Sequence, residues 1–261
     1  MDGRNVVMLA RAERIPAEAT RLVAAAAEQS LLLRITGSVA VHLHCARHNA
    51  LMRQLGRRPF YDIDFWARDR DHQRIDAFFQ AQGYVPDPAA RGLREWGIRR
   101  QIFAHPETGI KIDVFMDELE MAHSIRFADR LELADPCISL ADLLLSKLQI
   151  HEVTANDLID LTVLLSEHRI GSQESGQIDL DRVLDVLCED WGFWYSADLN
   201  LALLHHSVQR PGLDSALAAL VRTQIETLRA HLAEAPKSRR WRMRAKIGTR
   251  KRWYQQVEEV R

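Results

Sequence analysis

The 261-residue chain has few cysteines and no long apolar run. Its three cysteines, Cys45, Cys137 and Cys188, are far apart and odd in number, which argues against a disulfide framework and against a zinc cluster. No apolar run approaches the roughly 18 residues that a membrane span needs, and the first residues do not resemble a secretory signal. We therefore expect a cytoplasmic protein with no membrane partner.

Charge is distributed unevenly along the chain. The formal net charge is only -1, but residues 237–261 carry ten Lys or Arg against two Glu, so the rest of the chain is acidic. A basic tail on an acidic body favours a polyanionic partner. Two interpretations of the tail stay open: a solvated C-terminal helix, or a surface that holds RNA. In the second, the residues that would contact RNA are Lys237, Arg239, Arg240, Arg242, Arg244, Lys246, Arg250, Lys251 and Arg252.

A strand, a tight turn and a helix follow one another near the start of the chain. Residues 31–36 form an apolar run short enough for a buried strand, and residues 39–44 continue as a helix. Between them, Gly37 relieves the turn, and either Thr36 or Ser38 is expected to cap the helix. A helix N-terminus stabilises anions, so Gly37 and Ser38 are candidate phosphate-binding residues.

Three carboxylates lie on two predicted strands. Asp62 and Asp64 alternate with apolar residues in the strand 61–66, and residues i and i+2 of a strand point to the same side. Asp113 lies on a second strand, 111–115. The spacing leaves two interpretations open: a metal site, or an exposed pair of aspartates on an edge strand.

Metal-assisted phosphoryl chemistry uses this set of groups. Mg²⁺ prefers oxygen ligands, and Mn²⁺ is the alternative ion. Asp62 and Asp64 are the candidate ligands, and Asp113 is either a third ligand or the base that accepts the proton of an attacking hydroxyl. All three are candidate catalytic and metal-binding residues.

The remaining pattern predicts an α/β front half and a helical back half. In the front half we expect a helix over 17–30 with Pro16 in its first turn, a basic loop after residue 47, a helix over 71–82, and a hairpin of strands 93–103 and 110–115. These elements give a mixed sheet of about four or five strands. From residue 138 onward the predicted helices are 140–150, 154–167, 180–190, 196–207 and 213–234.

The combination of Gly37-Ser38, Asp62-x-Asp64 and Asp113 resembles the motif set of the DNA polymerase β-type nucleotidyltransferase superfamily. The stretches 140–148 and 156–161 resemble its AbiEii-like branch, the toxin type of abortive-infection pairs, although Asn156 stands where that branch has Lys or Arg. The resemblance implies that Lys147 contacts a triphosphate and that Asp157 helps to organise it. From the residues alone, Lys147 would be a snorkelling lysine, and Asp157 and Asp160 would be exposed residues on one helix face.

The resemblance implies an α+β fold, with a mixed-sheet nucleotidyltransferase core flanked by helices (1–136), an all-helical C-terminal domain (137–236) and a basic tail (237–261). The expected function is Mg²⁺-dependent transfer of a nucleoside monophosphate from a nucleoside triphosphate to a hydroxyl. RNA held by the tail is one candidate acceptor. A toxin-like role with an antitoxin partner is a further hypothesis that does not follow from the resemblance itself. Two alternatives stay open: an inactive nucleotide- or RNA-binding protein of the same fold, and a small-molecule, aminoglycoside-like nucleotidyltransferase.

Overall fold

A five-stranded mixed sheet forms the centre of the N-terminal half. The computed structural model describes residues 3–90, 92–93, 97–172, 176–209 and 212–256. The strands are β1 (Leu33–Thr36), β2 (Asp62–Ala67), β3 (Val85–Pro86), β4 (Arg100–Ala104) and β5 (Lys111–Met116). They are arranged in the order β1-β2-β5-β4-β3, with β2 parallel to β5 and the other pairs antiparallel. The predicted mixed sheet is confirmed.

The inner strands are apolar on both faces, as expected for strands covered on both sides. In β2, Ile63, Phe65 and Trp66 are fully buried, and in β5 Ile112 and Val114 are fully buried. The polar residues of both strands are confined to their N-terminal halves. The sheet therefore presents its carboxylates at one end, above a closed apolar core.

The helices of this half are α1 (Gly3–Glu28), α2 (Gly37–His44), α3 (Asn49–Gln54) and α4 (His72–Ala81). Two expectations were wrong. Pro16 lies inside α1 and not in its first turn, because Ile15, Ala19 and Leu22 on one face are fully buried and their packing outweighs the cost of the proline. The predicted basic loop contains α3, a short helix anchored by the buried Met52.

Short strands occur where none was predicted. Strands β6 (Glu118–Glu120) and β7 (Ser124–Arg126) pair antiparallel after the main sheet, and β8 (Ile170–Gly171) pairs parallel with β9 (Ile178–Asp179) inside the helical half. Segments of two or three residues carry too little periodicity to be detected in a sequence. Residues 94–96 of the predicted strand 93–103 and residues 257–261 of the tail lie outside the described residues.

The back half is built from helices. They are α5 (Leu140–Leu148), α6 (Ala155–Glu167), α7 (Leu180–Glu189), α8 (Trp191–Ser207), α9 (Ser215–Glu234) and α10 (Arg239–Ile247). Ser139 caps α5, and Thr154 forms a capping box with Asp157 at the start of α6. The protein is thus an α+β fold with a mixed sheet followed by C-terminal helices.

One continuous cluster of buried apolar side chains extends from Ile15 in α1 to Leu232 in α9. The division into 1–136, 137–236 and 237–261 stays a prediction. Within the described ranges, no helix combines the length and apolar character needed to cross a membrane.

Candidate functional site

Asp62 and Asp64 occupy the first half of β2, where the strand emerges from the core. Asp62 is exposed and Asp64 is partly exposed, whereas Ile63 between them is fully buried. The alternation of a strand places the two carboxylates on the same face, as the sequence predicts. Strand β1 pairs with β2 on the other side, with Thr36 opposite Asp64.

Asp113 lies directly across the parallel pairing from Asp64, in the register of β2 and β5. The carboxylates interact electrostatically: burial, then Asp62 and Asp113, raise the pKa of Asp64 well above its ordinary value, while Lys147 and Arg100 act in the opposite direction. The geometry therefore brings together the three aspartates that the sequence analysis selected.

Asp113 has a partner that the sequence analysis missed. The Arg100 Nε atom donates to Asp113 Oδ1 at 2.7 Å, and the Arg100 Nη2 atom contacts Oδ2. Burial raises the pKa of Asp113, against the opposing effect of Arg100. Arg100 lies on β4, opposite Phe115 in the antiparallel pairing with β5, and strand pairing across a loop leaves no local sequence signal.

The turn before α2 fits against the carboxylates. Gly37 has a positive φ of 64°, a conformation that favours glycine. A Cβ atom at this position would overlap Oδ2 of Asp64. Glycine at position 37 therefore lets the backbone of the turn approach the carboxylate of the neighbouring strand.

The capping role predicted for Thr36 or Ser38 was wrong. Thr36 occupies the N-cap position but makes no side-chain capping hydrogen bond. The Ser38 hydroxyl donates instead to Oδ2 of Asp160 at 2.7 Å, in α6. This long-range bond fixes the hydroxyl at the start of α2, where the helix leaves backbone N–H groups without helical partners.

Lys147 is buried among acceptors and does not snorkel. Its Nζ atom lies 2.8 Å from Asp160 Oδ2 and 3.2 Å from Asp157 Oδ1, and it donates to Ser38 Oγ at 3.1 Å. Burial alone would lower the pKa of Lys147, but Asp160 and Asp157 outweigh it and raise the pKa. The ammonium group therefore stays charged beside the Gly37-Ser38 turn.

Asp160, in α6, contacts both Ser38 and Lys147. Its side chain is fully buried, and it also accepts a hydrogen bond from Arg57 Nε at 2.9 Å. Burial raises the pKa of Asp160, but Lys147 and Arg57 outweigh burial and leave the pKa below its ordinary value. The interpretation of Asp160 as an exposed helix residue, based on the residues alone, was wrong, because α6 turns this face toward α2 and α5.

Asn156 and Arg57 show how the basic segment after α3 is attached. The Asn156 Oδ1 atom accepts a hydrogen bond from the backbone N–H of Arg58 at 3.1 Å. Arg57 then reaches Asp160 with its side chain almost fully covered. Sequence reasoning recognised a basic stretch but had no signal for which arginine is buried.

The donor chemistry of the carboxylates suits a divalent cation. Oxygen ligands are those that Mg²⁺ prefers. Burial and then the carboxylates of Asp62 and Asp113 raise the pKa of Asp64, and a bound cation would offset both effects. Both oxygens of Asp113 are engaged by Arg100, and no three His, Cys, Asp or Glu side chains within the described ranges are gathered in a form that could hold a metal ion. Asp62 and Asp64 fit the ion as a pair, and Asp113 fits only once Arg100 releases it.

The basic tail forms α10 and packs against α8 through aromatic rings. Trp241 contacts Trp194 edge-on at 5.3 Å between ring centroids, and the Arg244 guanidinium lies 4.8 Å from the centroid of Trp191. In the described part of the tail, up to residue 256, seven cations are exposed: Arg239, Arg240, Arg242, Lys246, Arg250, Lys251 and Arg252. The tail therefore presents a positively charged outer face.

No protein-family model and no curated protein matches the chain. Among solved structures, the chain is similar to the solution structure of the antibiotic-resistance factor ANT(2'')-Ia. The sequences are 14% identical, the match covers 80% of this chain and 100% of the other, and the TM-score is 0.39. A similarity at this level says nothing about what this chain binds.

Proposed function

We propose that this chain is a Mg²⁺-dependent nucleotidyltransferase that transfers a nucleoside monophosphate from a nucleoside triphosphate to a hydroxyl acceptor. One observation carries the proposal: the Gly37 turn lies so close to Asp64 that a Cβ atom would overlap the carboxylate. A helix N-terminus for phosphates and an acidic pair for a metal ion thereby share one small volume, which is what phosphoryl transfer requires.

In the proposed mechanism, Asp62 and Asp64 would hold Mg²⁺, which supplies positive charge to the triphosphate oxygens. The amide and hydroxyl of Ser38 bind the β- and γ-phosphates, and Gly37 lets the backbone approach them. Once Arg100 releases it, Asp113 accepts the proton of the acceptor hydroxyl. A bond forms from that oxygen to the α-phosphorus, and the bond from the α-phosphorus to the bridging oxygen breaks. Pyrophosphate leaves with the electron pair.

Lys147 adds a second cation close to Ser38. In the described structure its charge is balanced by Asp160 and Asp157, so phosphate binding requires only a small movement of the ammonium group from carboxylate to phosphate oxygens. Asp157 fixes the start of α6 through the capping box and so organises this cation. These roles agree with those that the AbiEii-like resemblance implies for Lys147 and Asp157.

A second candidate function is supported by the Arg100–Asp113 pair. An arginine that engages both carboxylate oxygens keeps Asp113 from acting as a base. A chain in which this pair persists with bound nucleotide would be a nucleotide- or RNA-binding protein without turnover. The two candidates differ in whether triphosphate and Mg²⁺ release Asp113.

For the acceptor we propose RNA, held by the exposed cations of the tail, since arginine and lysine neutralise phosphates. A toxin-like role with an antitoxin partner belongs to the same proposal. A small-molecule acceptor is the alternative, and then removal of tail charge leaves turnover intact.

The test is isothermal titration calorimetry of the full chain with each of the four ribonucleoside triphosphates, with and without Mg²⁺. We expect metal-dependent binding that disappears in the Asp62→Ala/Asp64→Ala double variant and persists in an Asp181→Ala control. Asp181 is an exposed first-turn residue of α7, at the same i, i+2 spacing from Asp179. The absence of binding to all four triphosphates would overturn the proposed function.

A further inference from the structure

A cavity of about 350 Å³ has one wall formed by α2, the helix that begins at the proposed phosphate-binding turn. It is bounded by α1, α2, α3 and the segment that leads into β2. The side chains that matter for its chemistry are His42, Met52, Arg53, Arg57, Arg58 and Phe60. Small-molecule subsites of proteins have this size range and combine apolar surface with a few polar groups.

Hydrogen bonds through Asp160 link the wall of the cavity to the turn. Arg57, in its wall, donates to Asp160, and Asp160 accepts from Ser38 on its other oxygen. His42 follows Ser38 by about one turn of α2. A ligand anchored at Ser38 would therefore have this cavity within reach.

The side chains that line the cavity present flat rings and guanidinium planes. The Phe60 ring is partly exposed, with the Arg57 guanidinium 4.9 Å from its centroid and the His42 ring edge-on at 5.3 Å. Burial, together with the nearby Arg53 and Arg57, lowers the pKa of His42, so the imidazole is neutral near pH 7 and is not a phosphate-binding cation. Rings and guanidinium planes are surfaces on which planar heterocycles stack.

We propose that this cavity is the subsite for the base of the nucleoside triphosphate, which stacks against Phe60 and the arginine planes while the phosphates occupy the Gly37-Ser38 turn. The inference rests on the proposed function and adds the position of the base. Stacking tolerates every base but grows with ring area, so purine nucleotides of either kind bind more tightly than pyrimidine nucleotides.

The experiment compares nucleoside triphosphates with inorganic tripolyphosphate, which carries the phosphates but no base. Binding to the full chain is measured by calorimetry in the presence of Mg²⁺ for wild type, Phe60→Leu and His42→Leu. We expect Phe60→Leu to weaken binding of ATP and GTP by about tenfold, to remove the preference over CTP and UTP, and to leave tripolyphosphate affinity unchanged.

A variant and a matched control test the arginines that line the cavity. Arg53→Gln lies in the cavity, and Arg70→Gln changes an exposed arginine elsewhere, with 72% of its side chain accessible. Only Arg53→Gln is expected to reduce triphosphate affinity relative to tripolyphosphate. Both arginines are exposed, so neither variant is expected to unfold the protein.

The outcomes separate the two proposals. If wild type binds tripolyphosphate and triphosphates equally well, or if Phe60→Leu and His42→Leu weaken both ligands alike, the base lies elsewhere and this inference is wrong while the phosphate site stands. If wild type binds neither ligand with Mg²⁺, the proposed function fails and this inference fails with it.

Discussion

Arg100 holds Asp113 by both carboxylate oxygens, and Asp113 faces Asp64 across the parallel pairing of β2 and β5. The guanidinium group therefore supplies positive charge beside the carboxylates, as a bound metal ion would. Arg100 also opposes the rise in the pKa of Asp64, which burial and the neighbouring carboxylates cause, so its influence extends beyond its own partner.

The Arg100→Met variant frees Asp113. We expect Mg²⁺ to bind about tenfold more tightly than in wild type, because one competing positive charge is removed from the carboxylates. The free energy of unfolding without metal should fall, since the half-buried carboxylate loses its partner. Calorimetry with Mg²⁺ alone measures the first effect, and Arg70→Met is the control. Unchanged Mg²⁺ affinity would show that Asp113 takes no part in the metal site.

Turnover should depend on both residues of the acidic pair. Asp62→Ala and Asp64→Ala are each expected to lose more than about a hundredfold in rate, because metal positioning and charge neutralisation supply most of the catalysis. Pyrophosphate release from a triphosphate is the measurement. Asp181→Ala should keep the wild-type rate. Wild-type turnover in both Asp62→Ala and Asp64→Ala would contradict the assignment of the acidic site.

Two glycines with positive φ separate backbone strain from contact with the carboxylate. Gly37 has a φ of 64° and its missing Cβ would overlap Asp64, whereas Gly56 has a φ of 80° and nothing within 4 Å of that position. Gly37→Ala and Gly56→Ala should each cost about 1 to 2 kcal/mol from the left-handed backbone alone. Only Gly37→Ala is expected to abolish Mg²⁺-dependent triphosphate binding. Chemical unfolding and calorimetry on the same preparations test both statements.

Asp160 should make the free energy of unfolding depend on pH. Because its pKa is lowered in the folded state, its contribution is present above the unfolded value of about 3.9 and is lost as the pH falls through the folded value. Asp160→Asn leaves Arg57 without its buried counter-charge and Lys147 with Asp157 alone, and it should cost about 3 kcal/mol at pH 7. The difference between wild type and variant should shrink below pH 4. Urea unfolding at a series of pH values measures it, and a difference independent of pH would contradict the assigned charge state.

RNA binding should follow the exposed tail cations. Replacing Arg239, Arg240 and Arg242 by Gln is expected to weaken binding of a single-stranded RNA oligonucleotide and to reduce the slope of log affinity against log salt by about 2. The matched control replaces three exposed arginines outside the tail, Arg70, Arg74 and Arg229, whose surface ion pairs contribute little. Equal losses in the two triple variants would remove the tail from the acceptor site.

The sequence was most informative where spacing along one element decides the outcome. Asp62 and Asp64 share a face because residues two apart in a strand do so. The helix 154–167, which is α6, was predicted from the recurrence of Leu158, Leu161, Leu164 and Leu165 on one face. The fold class follows from the same local patterns, and it was confirmed.

The contacts between distant segments could not be predicted. Arg100, Arg57 and Asp160 reach the site from β4, from the segment after α3 and from α6, and each looks like an ordinary charged residue in the sequence. The fate of the Ser38 hydroxyl was missed for the same reason, because a capping rule considers only the next turn of the chain. Burial of Lys147 likewise depends on two other helices.

The acidic site forms only when β2 and β5 pair in the correct register. Asp64 and Asp113 face one another only in this alignment, and a slip of one residue would put Ile63 opposite Asp113 and turn the carboxylates of β2 to the other face. In the chain, β2 and β5 are separated by α4, β3 and β4, so the acidic cluster forms only when the central sheet has assembled. Mg²⁺ affinity would then serve as a probe for refolding studies, distinguishing chains with a correctly aligned sheet from compact chains with a shifted one.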